Sequence, residues 1–300
     1  MIQDEKLKKI TTIKSFGIFY AYFMVITHWK SFCALLKYLK TVLTKFFGIQ
    51  FLVKFKLKKI PVISVDNELD ELVPFVPAKV DTYLDFINFW VRPMALLGKL
   101  LGGKKGSLYA AEYLTLIEKT YSQAACIYQF RMTTTNRPLG DVGKYNKDFW
   151  PIRNLDPHFL CVPSLHVAVV TLAYVFFKDV FKKEGLSQEY YERFTQELYD
   201  GAVEIIETVL YVKQHSVNCI PAALYMMTNI LKEKFTVKNG VDVIDSLFVS
   251  ATDVKEADKK AIHEYIHFFF EKLVLEGCNE EDWTVPVKRW LLLQEKNATN

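Results

Sequence analysis

Apolar positions recur at helical spacing through most of the chain, and turn residues separate the resulting segments. Alternation of apolar and polar residues, which marks strands, is rare, and it predicts a strand only from Ile60 to Val65. The predicted helices cover residues 80–101, 107–131, 162–182, 187–212, 214–234 and 253–276. Gly102-Gly103 and Gly277 are suited to end helices, because glycine tolerates the left-handed backbone found there. The predicted fold class is therefore an all-α helical bundle.

Composition shifts along the chain predict four parts. Residues 61–80 hold three prolines and several acids, a pattern typical of a linker. The helical core is expected at 81–235. After the turn at Asn239-Gly240 the chain becomes more polar, so residues 236–300 are predicted to be a C-terminal helical extension.

The first part, residues 1–60, carries twelve lysines, no arginine and only two acids. Lysines interleaved with large apolar residues suit an anionic lipid surface, since stems and rings enter the interface while ammonium groups meet headgroups. Nucleic-acid binding segments favour arginine on a polar scaffold, so no nucleic-acid partner is expected. The alternative is the solvated face of ordinary amphipathic helices. We therefore predict a membrane-associating segment whose partner is an anionic membrane surface.

The localisation predicted from the sequence is the cytoplasmic membrane. The uncharged stretch between Lys14 and Lys30 is shorter than the ~20 residues that span a bilayer, and no small-residue cleavage site follows it, so no cleaved signal peptide is expected. Five cysteines without a Cys-x-x-Cys pair indicate a reducing compartment. The longer uncharged runs 159–177 and 214–231 are compatible with either spanning helices or central bundle helices.

Each of these two uncharged runs contains a single histidine. Residues 161–168 read Cys-Val-Pro-Ser-Leu-His-Val-Ala, in which Pro163 and Ser164 are a strong helix start. His166 then lies in the first turn, where free amide groups and the helix dipole favour an anion. His215 follows Thr208 by seven residues, on the same face if the helix continues.

These residues, together with Arg137, suit phosphoryl transfer. An arginine presents a planar fork to two phosphate oxygens. One neutral histidine can attack phosphorus while a second, protonated, gives a proton to the leaving oxygen, and no cofactor or metal is required. The simpler alternative is two hydrogen-bonded histidines in an ordinary helical core. Asp156 and His158 lie on the loop before the Pro-Ser helix. They either supply an acid or a substrate contact to the site, or belong to a polar turn.

The sequence resembles the type 2 phosphatidic acid phosphatase superfamily, which also includes vanadium haloperoxidases. Arg-Pro at 137–138, Pro-Ser-Leu-His at 163–166, and Thr208 with His215 follow the order of its motifs Lys-x6-Arg-Pro, Pro-Ser-Gly-His and Ser-Arg-x5-His-x3-Asp. Leu165 and the Lys-Gln-His sequence at 213–215 resemble the inositol-phosphotransferase branch. The resemblance covers roughly residues 130–222 and implies that superfamily's helical bundle.

The resemblance also implies residue roles. His215 would be the nucleophile, His166 the general acid, and Arg137 and Ser164 would bind phosphate; Lys213 is an additional candidate for phosphate binding. The predicted function is a metal-independent phosphate-ester hydrolase or phosphotransferase that works through a phosphohistidine intermediate. The expected substrate is a phospholipid or another phosphate ester.

Three positions depart from the family pattern. The first lysine falls on Phe130, the arginine of the third motif on Val209, and the aspartate that orients the nucleophilic histidine on Cys219. A thiol is usually neutral and a weak acceptor, so it is a poor replacement for a carboxylate. The first alternative is therefore a catalytically degenerate member that binds a lipid or a protein. Asn218 is a candidate to hydrogen-bond to the His215 imidazole in place of the aspartate.

A second alternative comes from His263-Glu264-Tyr-Ile-His267, which has the spacing of a zinc hydrolase motif. On a helix the two histidines lie one turn apart, and Glu264 is placed to activate a zinc-bound water. Asp253 is predicted to cap this helix. No downstream residue is an evident third zinc ligand.

Overall fold

A computed structural model describes Leu7 and residues 10–297, and helices dominate the described part of the chain. In chain order the helices are α1 (Ile18–Thr27), α2 (Trp29–Thr41), α3 (Ile49–Lys54), α4 (Val80–Leu84), α5 (Phe86–Leu101), α6 (Gly103–Tyr128), α7 (Asn146–Asn154), α8 (Leu165–Lys183), α9 (Gln188–Tyr211), α10 (Cys219–Leu231), α11 (Val237–Ser246), α12 (Glu256–Gly277) and α13 (Thr284–Asn297). A π-helical turn, Val42–Gly48, joins α2 to α3. Short 3-10 turns cover Ile13–Ser15, Glu68–Leu72, Pro77–Lys79 and Gly143–Tyr145. The prediction of an all-α fold is confirmed.

Helix α8 lies at the centre of the bundle. Along its length it packs against α5, α6, α9 and α10, and every residue from Val167 to Ala173 is buried. A helix that is apolar on all sides needs such complete burial. Both long uncharged runs of the sequence therefore contribute central bundle helices, α8 and α10. None of the described helices combines the length and the apolar character needed to cross a bilayer.

The N-terminal helices pack on the same bundle. Helix α2 lies along α6, where the Thr41 hydroxyl donates to the buried carboxylate of Glu118 (2.9 Å) and Lys37 pairs with the same group (3.0 Å). Tyr38 packs edge-on against Tyr121, with ring centroids 5.4 Å apart. The segment predicted to attach to a membrane is thus also joined to the core.

A pair of short parallel strands brings distant loops together. Strand β1 (Val62–Ser64) follows the predicted pattern at 60–65, and its partner β2 (Met132–Thr134) was not predicted. An isolated bridge between Thr133 and Leu160 adds the loop that precedes α8. Because these loops lead to Arg137 and His158, the strand pair positions the candidate site.

The predicted linker is folded against the core. The Asp70 carboxylate accepts a hydrogen bond from the backbone N–H of Val217 (2.7 Å), and the Val76 N–H donates to the Tyr211 carbonyl (3.0 Å). Lys213 donates to the carbonyl oxygens of Val73 (2.6 Å) and Asp70. These bonds hold the loop between α9 and α10, which carries His215.

Candidate functional site

A partly enclosed cavity of about 60 Å³ lies between the start of α8 and the loops around it. Its polar lining consists of Gln50, Tyr83, Asp156, His158, His166 and His215. Aromatic and other less polar residues complete the wall: Phe46, Phe86, Tyr121, Leu160, Cys161 and Leu165. Since bulk water takes about 30 Å³ per molecule, the cavity has room for a small polar group but not for a whole lipid.

The two histidines singled out in the sequence face each other in this cavity. The ring centroids of His166 and His215 are 5.5 Å apart, and the rings meet at 69°. They come from different parts of the chain: His166 from the first turn of α8, His215 from the loop after α9. Both imidazoles therefore contribute to the wall of one cavity.

His215 lies on a loop, and not on a continuation of the helix that carries Thr208, because α9 ends at Tyr211. Its Nδ1 is 3.2 Å from the Cys161 carbonyl oxygen, which can only accept, so Nδ1 carries the proton. Its Nε2 is then left with a lone pair, 3.5 Å from the Ser164 hydroxyl oxygen. Burial lowers the pKa of His215 to about 4, against the smaller opposing effect of the Cys161 hydrogen bond. The imidazole is neutral at pH 7, as a nucleophile requires.

The His166 ring is packed between aromatic rings. It stacks on Tyr83 at 4.5 Å between centroids and is 4.3 Å from the Phe86 ring. Burial, followed by the nearby His215, holds the pKa of His166 well below its usual value. An anion in the cavity would act in the opposite direction, because a nearby negative charge favours the protonated imidazole.

Ser164 and Arg137 lie beside this pair. Ser164 is fully buried and caps α8, where its hydroxyl accepts from the Val167 N–H (3.4 Å). The half-buried Arg137 guanidinium donates to the Ile152 carbonyl (2.8 Å) and to Oε1 of Gln214 (3.4 Å). Burial lowers the pKa of Arg137, whereas Asp156 in the cavity wall partly opposes this effect. The structure thus brings Arg137 and Ser164 close to the two histidines, although only His166 and His215 of these four line the cavity.

Lys213, the remaining predicted phosphate ligand, points elsewhere. Its ammonium group binds the Val73 and Asp70 carbonyls, and burial lowers its pKa. Lys213 is not part of the cavity wall. Its contacts indicate that it anchors the His215 loop.

Cys219, which stands at the family's aspartate position, is fully buried, and its sulfur accepts from the Ser216 N–H (3.4 Å). The Cys161 carbonyl holds the Nδ1 proton of His215 instead. Asn218 does not contact that imidazole: its amide donates to the Val65 carbonyl (3.0 Å) and its Oδ1 accepts from Tyr265 (2.5 Å). A backbone carbonyl can fix the tautomer, but it stabilises the imidazolium form less than a carboxylate would.

Both residues from the loop before α8 reach the cavity. Asp156 accepts from the His158 N–H (3.0 Å), and burial raises its pKa. His158 Nε2 lies 2.9 Å from the Thr135 hydroxyl, and burial lowers the pKa of the ring strongly. Sequence reasoning missed Gln50 and Phe46 altogether. Nothing in the local pattern of an amphipathic lysine-rich segment indicates that two of its residues line a cavity of the core.

The zinc-like motif lies on a different surface. His263 Nε2 is 2.6 Å from the Leu247 carbonyl, His267 Nε2 is 2.7 Å from an Asp245 carboxylate oxygen, and Glu264 pairs with Lys260 at 3.7 Å. Within residues 10–297, no three His, Cys, Asp or Glu side chains are grouped so as to hold a metal ion. The predicted cap, Asp253, instead accepts from the Tyr211 hydroxyl (2.6 Å), and Lys255 occupies the N-cap of α12.

Comparisons of this chain with models of protein families, with curated proteins and with solved structures found no match. What the chain does is therefore inferred from the geometry and chemistry of the cavity.

Proposed function

We propose that this chain is a metal-independent phosphate-ester hydrolase or phosphotransferase of the type 2 phosphatidic acid phosphatase kind, with His215 as the nucleophile. The observation that carries the proposal is the meeting of His166 and His215 in one phosphoryl-sized cavity, with Ser164 and Arg137 beside them. An ordinary core histidine needs hydrogen-bond partners. It does not need a second histidine across a cavity.

The reaction proceeds in two displacements. The lone pair of His215 Nε2 attacks phosphorus and forms a P–N bond while the P–O bond to the leaving group breaks. The leaving oxygen keeps the bonding electron pair and receives a proton from protonated His166. Water or an alcohol then attacks the phosphohistidine and gives its proton to His166. The P–N bond breaks, which releases phosphate or the new ester and restores neutral His215.

Negative charge on the phosphoryl oxygens is stabilised by groups around the cavity. Arg137 supplies positive charge, and the N-terminal turn of α8, which lines the cavity at Leu165 and His166, adds the positive end of the helix dipole. These groups are fixed before the ligand arrives, which is the condition under which electrostatic stabilisation lowers a barrier. The same negative charge raises the pKa of His166 and so protonates the general acid only when substrate is bound.

A membrane lipid is the substrate class that fits the N-terminal helices. Six large apolar side chains between residues 19 and 57, here called the N-terminal surface, are 64% to 83% exposed: Phe19, Phe23, Trp29, Leu43, Phe55 and Leu57. Residues 10–60 also contain nine lysines and no acid, and within the described residues only Lys14 and Lys37 of these form ion pairs. Exposed rings among unpaired lysines match an anionic bilayer surface.

The test of the chemistry is phosphate release from phosphatidic acid and from a soluble aryl phosphate in excess EDTA, with His215→Asn beside the wild type. Release that survives chelation and disappears in the variant supports the proposal. Binding of phosphate without turnover of either ester, in both proteins, would instead identify the degenerate binder that the missing carboxylate suggests. Loss of activity on chelation, restored by zinc, would overturn the histidine mechanism.

The test of the membrane surface is sedimentation with vesicles of phosphatidylcholine alone or with added phosphatidic acid. The double variant Phe19→Ser/Trp29→Ser is expected to lose most binding to the anionic vesicles. The control is Phe268→Ser/Leu275→Ser, which removes two apolar groups of α12 that are 63% and 69% exposed, against 83% and 76% for Phe19 and Trp29. Equal binding by all three proteins would contradict the assignment of this surface.

A further inference from the structure

Gln50 is a buried polar residue whose hydrogen bonding is incomplete. It is 0% exposed and follows the π-helical turn that joins α2 to α3. Its Oε1 accepts from the Phe159 backbone N–H (3.0 Å), whereas its Nε2 has no hydrogen-bond partner among Leu7 and residues 10–297. A buried donor without a partner is costly, and such groups are rare unless a ligand or water completes them.

The side chain of Gln50 lines the cavity that also contains His158, His166 and His215. The carboxyl group of Asp156 is close enough for the Gln50 amide to lower the pKa of that carboxyl, but Nε2 forms no hydrogen bond with it. The Oε1 bond to Phe159 fixes the orientation of the amide plane and so leaves both N–H groups available. Local π-helical geometry is frequent at functional sites, because it changes where the following side chains point.

We propose that Nε2 of Gln50 donates a hydrogen bond to an oxygen of the phosphoryl group bound in this cavity. The inference rests on the proposed function and adds a ligand-binding residue that the family motifs do not contain. The motif lysine is absent here, because Phe130 occupies its position. Gln50 would supply a donor from an unrelated part of the chain. The ligand class is a tetrahedral oxyanion: a phosphoryl group, inorganic phosphate or vanadate.

This placement makes the N-terminal helices part of the active site. Gln50 and Phe46 come from the segment that carries the exposed apolar surface, and α2 joins that segment to α6. Binding of an oxyanion should therefore reduce hydrogen exchange in residues 42–54. An unliganded site would leave the same amides less protected.

The experiment is titration of the full chain with inorganic phosphate and with vanadate. Gln50→Glu keeps the Oε1 acceptor for Phe159 but replaces the donor with a carboxylate oxygen, so we expect the Kd for either anion to rise about 10- to 100-fold. Gln129→Glu makes the same charge change at an exposed position and should leave the Kd unchanged. A Kd for Gln50→Glu within about twofold of the wild type would overturn the proposal.

Two further measurements separate the possible failures. Because Gln50→Glu also brings a negative charge into the cavity, Gln50→Met is the neutral test: it removes the donor without adding a charge, and a Kd within about twofold of the wild type overturns direct contact with the ligand. If Gln50→Glu does not fold, the wild type decides: protection of residues 42–54 by phosphate supports the inference, and unchanged exchange overturns it. Wild-type protein that binds neither anion and hydrolyses no ester refutes the proposed function itself. Wild-type binding unaffected by Gln50→Glu refutes only the role of Gln50.

Discussion

The molecule contains two pairs of histidines, and they differ in what surrounds them. His166 and His215 come from distant parts of the chain, pack edge to face and line one cavity. His263 and His267 are neighbours on one helix, and each is bonded to a separate acceptor, the Leu247 carbonyl and the Asp245 carboxylate. Each pair lines a cavity, a partly enclosed one of about 60 Å³ for the first pair and a more open one of about 650 Å³ for the second. In the second pair, however, the Nε2 atom of each ring is already bonded to an acceptor of the protein.

The difference shows that a short sequence pattern does not tell whether its residues meet at one ligand. His-Glu-x-x-His is the sharper pattern in letters, yet a helix brings only two of the needed ligands to one face. The Pro-Ser-Leu-His and Lys-Gln-His segments are weak patterns separately. They become informative because packing of α8 against α10 and the strand pair brings them together. Tertiary contacts, and not local spacing, distinguish the two pairs.

The largest expected effect separates the pairs directly. His215→Asn should lower kcat/KM for an aryl phosphate by at least about a thousandfold, since the nucleophile is removed. His263→Asn should keep activity within about threefold of the wild type. Steady-state kinetics of both variants in EDTA checks this. Loss of activity in His263→Asn alone would reverse the assignment of the two pairs.

The next effect distinguishes the two members of the cavity pair. His166→Asn removes the proton donor, so kcat for an alkyl phosphate should fall about 10²- to 10⁴-fold. An ester with a nitrophenolate leaving group needs little protonation and should lose much less. The ratio of the two rates is the measurement. An equal loss for both esters would mean that His166 is not the general acid.

A third effect concerns stability and its dependence on pH. The pKa of His215 is about 4 in the fold and ~6.5 when unfolded, so its contribution is present above pH 6.5 and is lost as the pH falls toward 4. Between pH 7.5 and 5 the wild type should therefore lose about 2 kcal/mol of unfolding free energy through protonation of His215 in the unfolded chain. His215→Asn should not show this loss. Burial raises the pKa of Asp70 to about 6, and this shift acts in the opposite direction: it stabilises the fold as the pH falls.

The comparison of variant with wild type at both pH values isolates His215, because the other groups are shared. Urea unfolding supplies the two free energies. A difference that does not change between pH 7.5 and 5 would mean that His215 titrates normally and is not enclosed as described.

The smallest expected effect on activity is that of Cys219→Asp. Because the Cys161 carbonyl already accepts the Nδ1 proton of His215, the new carboxylate should raise turnover by no more than about threefold. It should also lower Tm by several degrees, since Cys219 is fully buried. Kinetics and thermal unfolding measure the two outcomes. A tenfold gain without loss of Tm would show that the missing carboxylate alone limits the site.

Parts of this fold were readable from local sequence rules. The Pro163-Ser164 helix start is confirmed by the Ser164 cap of α8, and the stop at Gly102 by its left-handed backbone (φ 83°). Such features depend on neighbouring residues only. The pairing of β1 with β2 was not predictable, because the three residues of β2 are too few to show a period and the two strands are far apart in the sequence.

The site was predictable only in part. The residue types of the two histidines, Ser164 and Arg137 indicated anion chemistry, and the structure places them together. The direction of Lys213 depends on the carbonyls of the folded linker, and the role of Gln50 depends on how the N-terminal helices pack. Neither contact leaves a signal in the surrounding sequence.

The central claim is that His215 carries the phosphoryl group during turnover, and trapping that group tests it most directly. The wild type is mixed with an aryl phosphate, quenched at alkaline pH within one turnover, digested and examined by mass spectrometry. The expected result is a phosphoryl group on His215, absent from His215→Asn and increased in His166→Asn with an activated ester. Product formation with no phosphohistidine, or with the label on another residue, would contradict the mechanism.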